Sequence, residues 1–358
     1  MEKIRVGIIG TGSTIGIAKQ HVNAYKENAR VELTALYDIV PGRSQEWAKK
    51  QEVENVVFCS SLEELFENVD AVSICTPNFT HVDLTIKAIE AGKHVICEKP
   101  FATSAEEAKR AVEVAKKHPK IVVMVCFNYR EIPHYKYIKH IIDEGKIGSV
   151  YTMRQEIGGN RIADSNKVEL EWRMQESLSG AGSLADFGCH MLDLADFILS
   201  SDNGPICEVQ AMVNTFIAPR KIIGEDGMGK VTNDDCAVFN ARTEKGTLLS
   251  FVSSRIGLPN SMMEIVGEGG MIIMDGTKGE IKVWLKEKQG SYIPKNRETV
   301  QIPDEFKGEE GHKGIINRFV ECILDGKTDD RDLERGLYIQ HLLDQLKNSA
   351  QEGKTIKV

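Results

Sequence analysis

Between residues 4 and 126, short apolar runs alternate with amphipathic stretches. Residues 6–9, 31–37, 56–59, 71–75, 94–97 and 121–126 are rich in Val and Ile and lack in-out alternation, which marks strands covered on both faces. The stretches between them carry helical spacing and start signals. Ser61-Leu-Glu-Glu64 and Thr103-Ser-Ala-Glu106 have the form of a capping box, whose two side chains satisfy main-chain amides at a helix start. Six such strands in a βαβ rhythm predict a parallel, doubly wound sheet.

Further along, the pattern changes. Residues 133–144 predict a helix closed by Gly145, and residues 150–157 a strand. Residues 183–199 predict an amphipathic helix in which Leu184, Phe187, Met191, Leu194 and Ile198 form an apolar stripe, while Asp186, His190 and Asp193 share another face. Residues 207–215, 236–241, 247–253, 262–266, 271–274 and 281–285 then follow one another as strands without helices between them, which predicts an antiparallel sheet. Glu244-Lys-Gly246 and Glu268-Gly-Gly270 fit hairpin turns. The Gly-rich, polar residues 218–233 predict a flexible loop beside a substrate or partner subunit, and helices over 312–324 and 333–349 close the chain. With 358 residues, two domains are expected, 1–127 and 128–358.

A net charge of −8 excludes a general affinity for nucleic acid or anionic membrane. There is no run of about 18 apolar residues to span a bilayer, and the first ten residues read as a strand start rather than a signal peptide, so a cytoplasmic protein is expected. The eight cysteines form no Cys-x-x-Cys pair and are expected to be reduced and mostly buried. Cys189, beside His190, reads as packing rather than as a nucleophile or ligand, and no spacing calls for a metal.

Candidate chemistry gathers at the ends of the early strands. The first strand runs into Gly10-Thr-Gly12-Ser-Thr-Ile-Gly16 and then a helix, an order that lets a pyrophosphate rest on helix-terminal amides close to the main chain. Gly10, Gly12, Ser13 and Ile15 are the expected contacts. Asp38 closes the second strand where an acid would accept both ribose hydroxyls, which favours NAD over NADP, although Arg43 nearby keeps NADP open. The alternative for Asp38 is an ordinary strand-end turn residue. Thr76, Pro77, Asn78 and His81 follow the fourth strand, Glu98 and Lys99 the fifth and Asn128 the sixth, so all reach the carboxyl edge where such sheets bind ligands. Lys99 could hydrogen-bond a reacting oxygen or pair with Glu98. His81 reads first as a helix-start residue.

The second candidate is the stretch from Gly180 to Asp193. Gly180-Ala-Gly182 lets the backbone approach a ligand, and Asp186 stands one turn before His190, a geometry that favours the charged imidazole and orients it for proton transfer. Tyr129, Arg161, Trp172 and Arg173 lie between these regions and suit sugar hydroxyls or a phosphate, or serve in domain packing.

Taken together, the glycine loop, Thr76-Pro77-Asn78, Glu98-Lys99-Pro100, Asn128-Tyr129-Arg130, Trp172-Arg173 and the Gly180 to Asp193 stretch resemble the glucose-fructose oxidoreductase, inositol dehydrogenase and rhizopine-catabolism family (Gfo/Idh/MocA) over nearly the whole length. The resemblance implies a Rossmann domain followed by an α/β domain whose open, mainly antiparallel sheet carries substrate and an oligomer interface, as in a homodimer or homotetramer. It implies that Lys99, Asp186 and His190 match the family's catalytic Lys, Asp and His. Three features depart from the family pattern: extra residues around 13–16 in the glycine loop, Ala181 for the middle glycine of a triplet, and residues 159–166, which match no known specificity. The activity expected is NAD-dependent hydride transfer at a secondary alcohol of a sugar, inositol or sugar derivative. A noncatalytic sensor and an NAD-dependent glycosidase are the rival readings.

Overall fold

A computed structural model describes residues 3–12, 16–257, 259–286 and 297–358. The chain divides into two compact units, Met1–Glu131 with Glu309–Gln340, and Ile132–Gly308 with His341–Val358. The expected division at residue 127 differs in two respects: the first unit runs on to Glu131, and residues 309–340 belong to it as well.

The first unit alternates β1 (Ile4–Ile9), α1 (Ile17–Lys26), β2 (Val31–Tyr37), α2 (Arg43–Lys50), β3 (Val57–Cys59), α3 (Leu62–Glu67), β4 (Ala71–Ile74), α4 (His81–Glu90), β5 (His94–Cys97), α5 (Ala105–Ala115) and β6 (Val123–Val125). The strands pair in parallel in the order β3-β2-β1-β4-β5-β6. This is the doubly wound dinucleotide-binding order, whose direction reverses between β1 and β4. Val6, Ile8, Ala71, Val72, Ile74, Val95 and Ile96 are fully buried, as strands covered on both faces must be, and each large aliphatic among them contributes roughly 1.5–3 kcal/mol. The capping box of α3 forms as expected, with Ser61 Oγ accepting from Glu64 N at 3.2 Å. That of α5 is displaced by one residue: Ser104 caps Glu107 N, and Glu107 reaches back to Thr103 N at 3.2 Å.

The second unit contains α6 (Pro133–Asp143), β7 (Val150–Gly158), α7 (Glu176–Ser179), α8 (Cys189–Asn203), β8 (Ile206–Asn214), β9 (Pro219–Lys221), β10 (Met228–Lys230), β11 (Cys236–Thr243), β12 (Leu248–Ser254), β13 (Asn260–Gly267), β14 (Gly270–Asp275), β15 (Glu280–Leu285) and β16 (Arg297–Val300). After these come α9 (Gly311–Asp325), which belongs to the first unit, α10 (Leu333–Glu352), and the short β17 (Ile356–Lys357). α9 buries Ile315, Ile316, Phe319 and Val320 in the same core cluster as α1 and β1.

Nine strands form the large sheet of the second unit, in the order β16-β15-β14-β13-β7-β12-β11-β8-β17. The sheet is mainly antiparallel as expected, but β7 and β12 pair in parallel because the return from β7 runs through the loops and helices before β8. Along β11 buried and exposed residues alternate, so one face is covered and the other open. Residues 218–233 are not a structureless loop. They hold the ribbon β9–β10, and Arg220 within it is completely buried, donating to the carbonyls of Ile162 and Val168.

The expected plain α-helix over 183–199 also needs correction. Residues Leu184–Gly188 form a π-helical turn, and α8 begins at Cys189. Leu192, Asp193 and Ala195 are as buried as the apolar stripe, so this is a central helix enclosed by the unit rather than an amphipathic surface one.

Candidate active site

In the first unit, β1 leads to Gly10, whose φ of +93° suits glycine, and a Cβ there would come within 2.6 Å of Thr76 Cγ2. Its amide donates to Tyr37 O at 2.8 Å, which ties the loop to the end of β2. Asp38 lies directly beneath. Its Oδ2 accepts from Thr11 N at 2.9 Å, Gly12 N at 3.0 Å and Thr11 Oγ1 at 3.1 Å, while Oδ1 accepts from Val40 N at 3.0 Å and Arg43 Nη1 at 3.2 Å. The Asp38 side chain is only 4% exposed, whereas that of Arg43 is 43% exposed. Arg43 is therefore the partner a ribose could replace at the smallest cost. A Cβ at Gly12 would stand 2.5 Å from the Arg43 guanidinium, so a side chain there would have to displace that flexible arginine. α1 opens after Gly16, at φ +71° with open space where its Cβ would be, and a helix N-terminus is a common seat for an anion. A dinucleotide fits this set: close main chain, helix terminus and ribose acid. Ser13 and Ile15 lie outside the described residues.

The ends of β4 and β5 are held together by His81. Its Nδ1 is 2.9 Å from Pro100 O and its Nε2 is 2.9 Å from Thr76 O, so this fully buried ring bridges the two strand ends that carry Thr76-Pro77-Asn78 and Glu98-Lys99. His81 is also the first residue of α4, as its reading as a helix-start residue anticipates. Asn78 is buried and Lys99 half-buried, and the Lys99-Pro100 peptide is cis.

Glu98 is buried beneath Lys99. Its Oε1 faces His21 Nε2 at 2.8 Å and His312 Nε2 at 3.2 Å, and its Oε2 accepts from Lys99 N at 3.3 Å. Burial pushes its carboxyl up, but the two imidazoles outweigh that and hold it well below the usual range. Burial keeps His21 below the ordinary histidine value. Asn128 is buried, with its amide 3.3 Å from His312 Nδ1, and Tyr129 is half-buried in the same short helical turn. Neither His21 nor His312 is evident from sequence, because no spacing links them to Glu98.

In the second unit, the stretch from Gly180 to His190 is fixed by residues far along the chain. Asp234 Oδ1 accepts from Gly182 N at 2.7 Å, its Oδ2 from Leu184 N at 2.9 Å, and its carbonyl from Ser183 N at 2.9 Å. The carboxylate thus caps the first turn that leads to Asp186 and His190. Gly182 is obligatory, because a Cβ would lie 1.9 Å from Asp234 O. Behind it, Arg255 donates to Asn233 Oδ1, Asp234 O and Arg173 O, each at 2.8 Å. Burial raises the Asp234 carboxyl, and Arg255 opposes that. The only signal of this scaffold in the sequence is the polar run Asn233-Asp234-Asp235 immediately before a strand.

Asp186 is half-buried in the π turn, and His190 is buried in the first turn of α8. A π turn follows i→i+5 bonding, so the two are not set by plain 3.6-residue spacing, and such turns recur at functional sites. Cys189 is fully buried at the start of α8. Trp172 and Arg173 stack with the guanidinium 4.2 Å from the ring centroid, and the Arg173 carbonyl is held by Arg255 and Asn233. Arg161 forms a bidentate pair with buried Glu171, at 2.7 and 3.0 Å. All eight cysteines are free, five of them buried. Among the described residues no helix is long and apolar enough to cross a membrane.

Comparison with known proteins supplies the remaining context. Residues 4–127 match the family model of an oxidoreductase family with an NAD-binding Rossmann fold (GFO_IDH_MocA), and residues 135–273 match the GFO/IDH/MocA C-terminal domain. Levoglucosan dehydrogenase of Pseudarthrobacter phenanthrenivorans is 32% identical over 297 residues, covering 78% of this chain and 73% of that protein. Myo-inositol 2-dehydrogenase of Thermotoga maritima is 28% identical over 291 residues, covering 80% and 79%. A solved structure of levoglucosan dehydrogenase in complex with NADH and levoglucosan superposes with a TM-score of 0.87 at 27% identity, covering 100% of this chain and 99% of that one.

Proposed function

Because this chain belongs to the Gfo/Idh/MocA oxidoreductase family, whose N-terminal domain is an NAD-binding Rossmann fold, we propose that it is an NAD-dependent dehydrogenase of a secondary alcohol in a sugar, inositol or sugar derivative, working in either direction. NAD, when bound, takes the hydride from the carbinol carbon. The chain's residues do the rest. Asp38 holds the adenosine ribose, Gly10 and Gly12 admit the pyrophosphate, and the ends of β4 and β5 align the reacting edge. Pro77 and Asn78 belong to that edge, and Glu98 fixes the backbone of Lys99.

His190 accepts the hydroxyl proton, with Asp186 orienting and charging the ring. The Lys99 ammonium stabilises the alkoxide as it develops. Tyr129, Arg161, Trp172 and Arg173 are assigned to the substrate, with Arg161 acting from its pair with Glu171. The observation that carries this reading is the Asp234 cap, which holds a carboxylate and a buried imidazole on a pre-set turn. The relatives' substrates, levoglucosan and myo-inositol, point to a cyclic polyol with adjacent hydroxyls. The open face of the nine-stranded sheet, which exposes Met212, Val238, Leu248 and Val252, is assigned to a homodimer or homotetramer. A cytoplasmic location follows from the same reading.

The test is NADH formation with purified protein, NAD and a panel of inositols, aldoses, anhydrosugars and sugar phosphates, each repeated with Lys99→Ala. Turnover on one class that the variant loses is the expected result. Sugar release without net NADH would replace the proposal with glycosidase chemistry. Silence across the panel despite NAD binding would replace it with a sensor.

A further inference from the structure

Within the first unit, four side chains from four separate elements converge below the end of β5: His21 on α1, Glu98 after β5, Cys126 after β6 and His312 on α9. Their ligating atoms, two imidazole nitrogens, one carboxylate oxygen and one thiol sulfur, all lie within 4.8 Å of one another. We propose that this cluster is a closed, four-ligand site for a divalent transition metal of the zinc type. The proposal does not depend on the dehydrogenase reading.

Three observations carry it. The donor set is that of tetrahedral zinc, whose ligand atoms stand at about 2.0–2.3 Å from the ion and hence roughly 3.3–3.8 Å from each other. The present contacts of Glu98 Oε1 with His21 Nε2, 2.8 Å, and His312 Nε2, 3.2 Å, are a little tighter, so a modest outward shift of the carboxylate admits the ion.

Charge also balances. Ligation through sulfur displaces the Cys126 thiol proton, and the resulting thiolate with the Glu98 carboxylate neutralises the dication while both imidazoles stay neutral.

Finally, one of the two rings already has a partner behind it that can accept its ring proton. Ligation through Nε2 places each ring proton on Nδ1. His21 Nδ1 is 2.9 Å from Ser73 Oγ, itself held by Tyr25 at 2.7 Å, which can accept that proton; His312 Nδ1 faces the Asn128 amide nitrogen at 3.3 Å, a donor, so ligation there requires the carboxamide to turn over. Ordinary metal sites use such outer partners to fix tautomer and ring plane. A closed set without a water position is structural in character, so the ion would pin α9 to the β5 and β6 ends.

The experiment loads the full chain with Zn2+, removes excess by gel filtration, and counts metal by mass spectrometry; Co2+ loading then reports thiolate ligation through its charge-transfer absorption. The expected result is about one Zn2+ per chain, a thermal midpoint raised by roughly 5 °C, and a sulfur-ligated Co2+ spectrum. Cys126→Ser should abolish the charge-transfer band and His312→Gln should lower metal retention at least tenfold, with far-UV circular dichroism unchanged. If either variant fails to fold, X-ray absorption of the zinc-loaded wild type decides, with about three N/O and one S neighbour expected. Substoichiometric zinc, retention equal to wild type in both folded variants, or an all-oxygen shell would overturn the site.

Discussion

The two glycine-bearing turns of this protein are built to opposite specifications. The turn after β1 rests on Asp38, a carboxylate only a short way along the chain, and its outer partner Arg43 is half-exposed and replaceable. The turn before α8 is locked by Asp234 and Arg255, both buried, and tolerates no Cβ at Gly182. The first turn can exchange a protein contact for a ligand contact. The second is organised without a ligand, as the proposed proton transfer within hydrogen-bond reach would require. Binding and chemistry are thus assigned to elements of different stiffness.

The largest expected effect breaks the stiff turn. Gly182→Ala puts a side-chain methyl 1.9 Å from the main-chain carbonyl of Asp234, which cannot rotate away, and should destabilise the protein by more than about 3 kcal/mol. Denaturant titration would show the loss, and a midpoint within experimental error of wild type would mean that the lock is not rigid.

A second effect separates buried electrostatics in the first unit from both turns. The Asp329 side chain is 5% exposed, which pushes its carboxyl up, but hydrogen bonds from Arg331 and Arg318 outweigh this and depress it strongly. A depressed carboxyl binds fewer protons when folded, so its stabilisation is fully present above the unfolded value near 4 and is lost as pH falls below it. Asp329→Asn should therefore cost roughly 2–4 kcal/mol at neutral pH and flatten the acid limb of the thermal midpoint against pH. An acid limb as steep as wild type would remove Asp329 from the account.

The smallest effect probes the adaptable turn. Arg43→Ala leaves Asp38 Oδ1 with the Val40 amide as its remaining partner and should leave stability unchanged, while lowering any affinity for NADP and changing NAD affinity by less than about tenfold. Calorimetry with each dinucleotide measures this. A collapse of NAD binding would make Arg43 an anchor rather than a displaceable partner.

The same contrast explains what could be read from the sequence. The first unit repeats a local rhythm, so its six strands, the glycine loop and Asp38 were all legible from runs and offsets. Its α5 cap was misplaced by one residue because Thr103 and Ser104 both suit the role, and Ser104 takes it while Thr103 binds Glu107. The candidate site stretch at 180–193 is legible as a stretch, but its π turn is not. A π turn is set by tertiary anchoring, and here the anchors come from Asp234 and Arg255. Residues 218–233 look like a solvated loop because they are Gly-rich and charged, yet Arg220 is buried with carbonyl partners that composition cannot reveal. The grouping of His21, Glu98, Cys126 and His312 is equally nonlocal, since α9 brings its histidine back from the far end of the chain.

The most direct measurement compares wild type with His190→Asn, reading NADH formation on the best panel substrate and NAD affinity by calorimetry on the same samples. Loss of His190 should reduce turnover by about 10²–10⁴ while NAD affinity stays within about twofold, because the imidazole handles the proton and the first unit holds the dinucleotide. Turnover equal to wild type in a folded, NAD-binding His190→Asn protein would contradict the account.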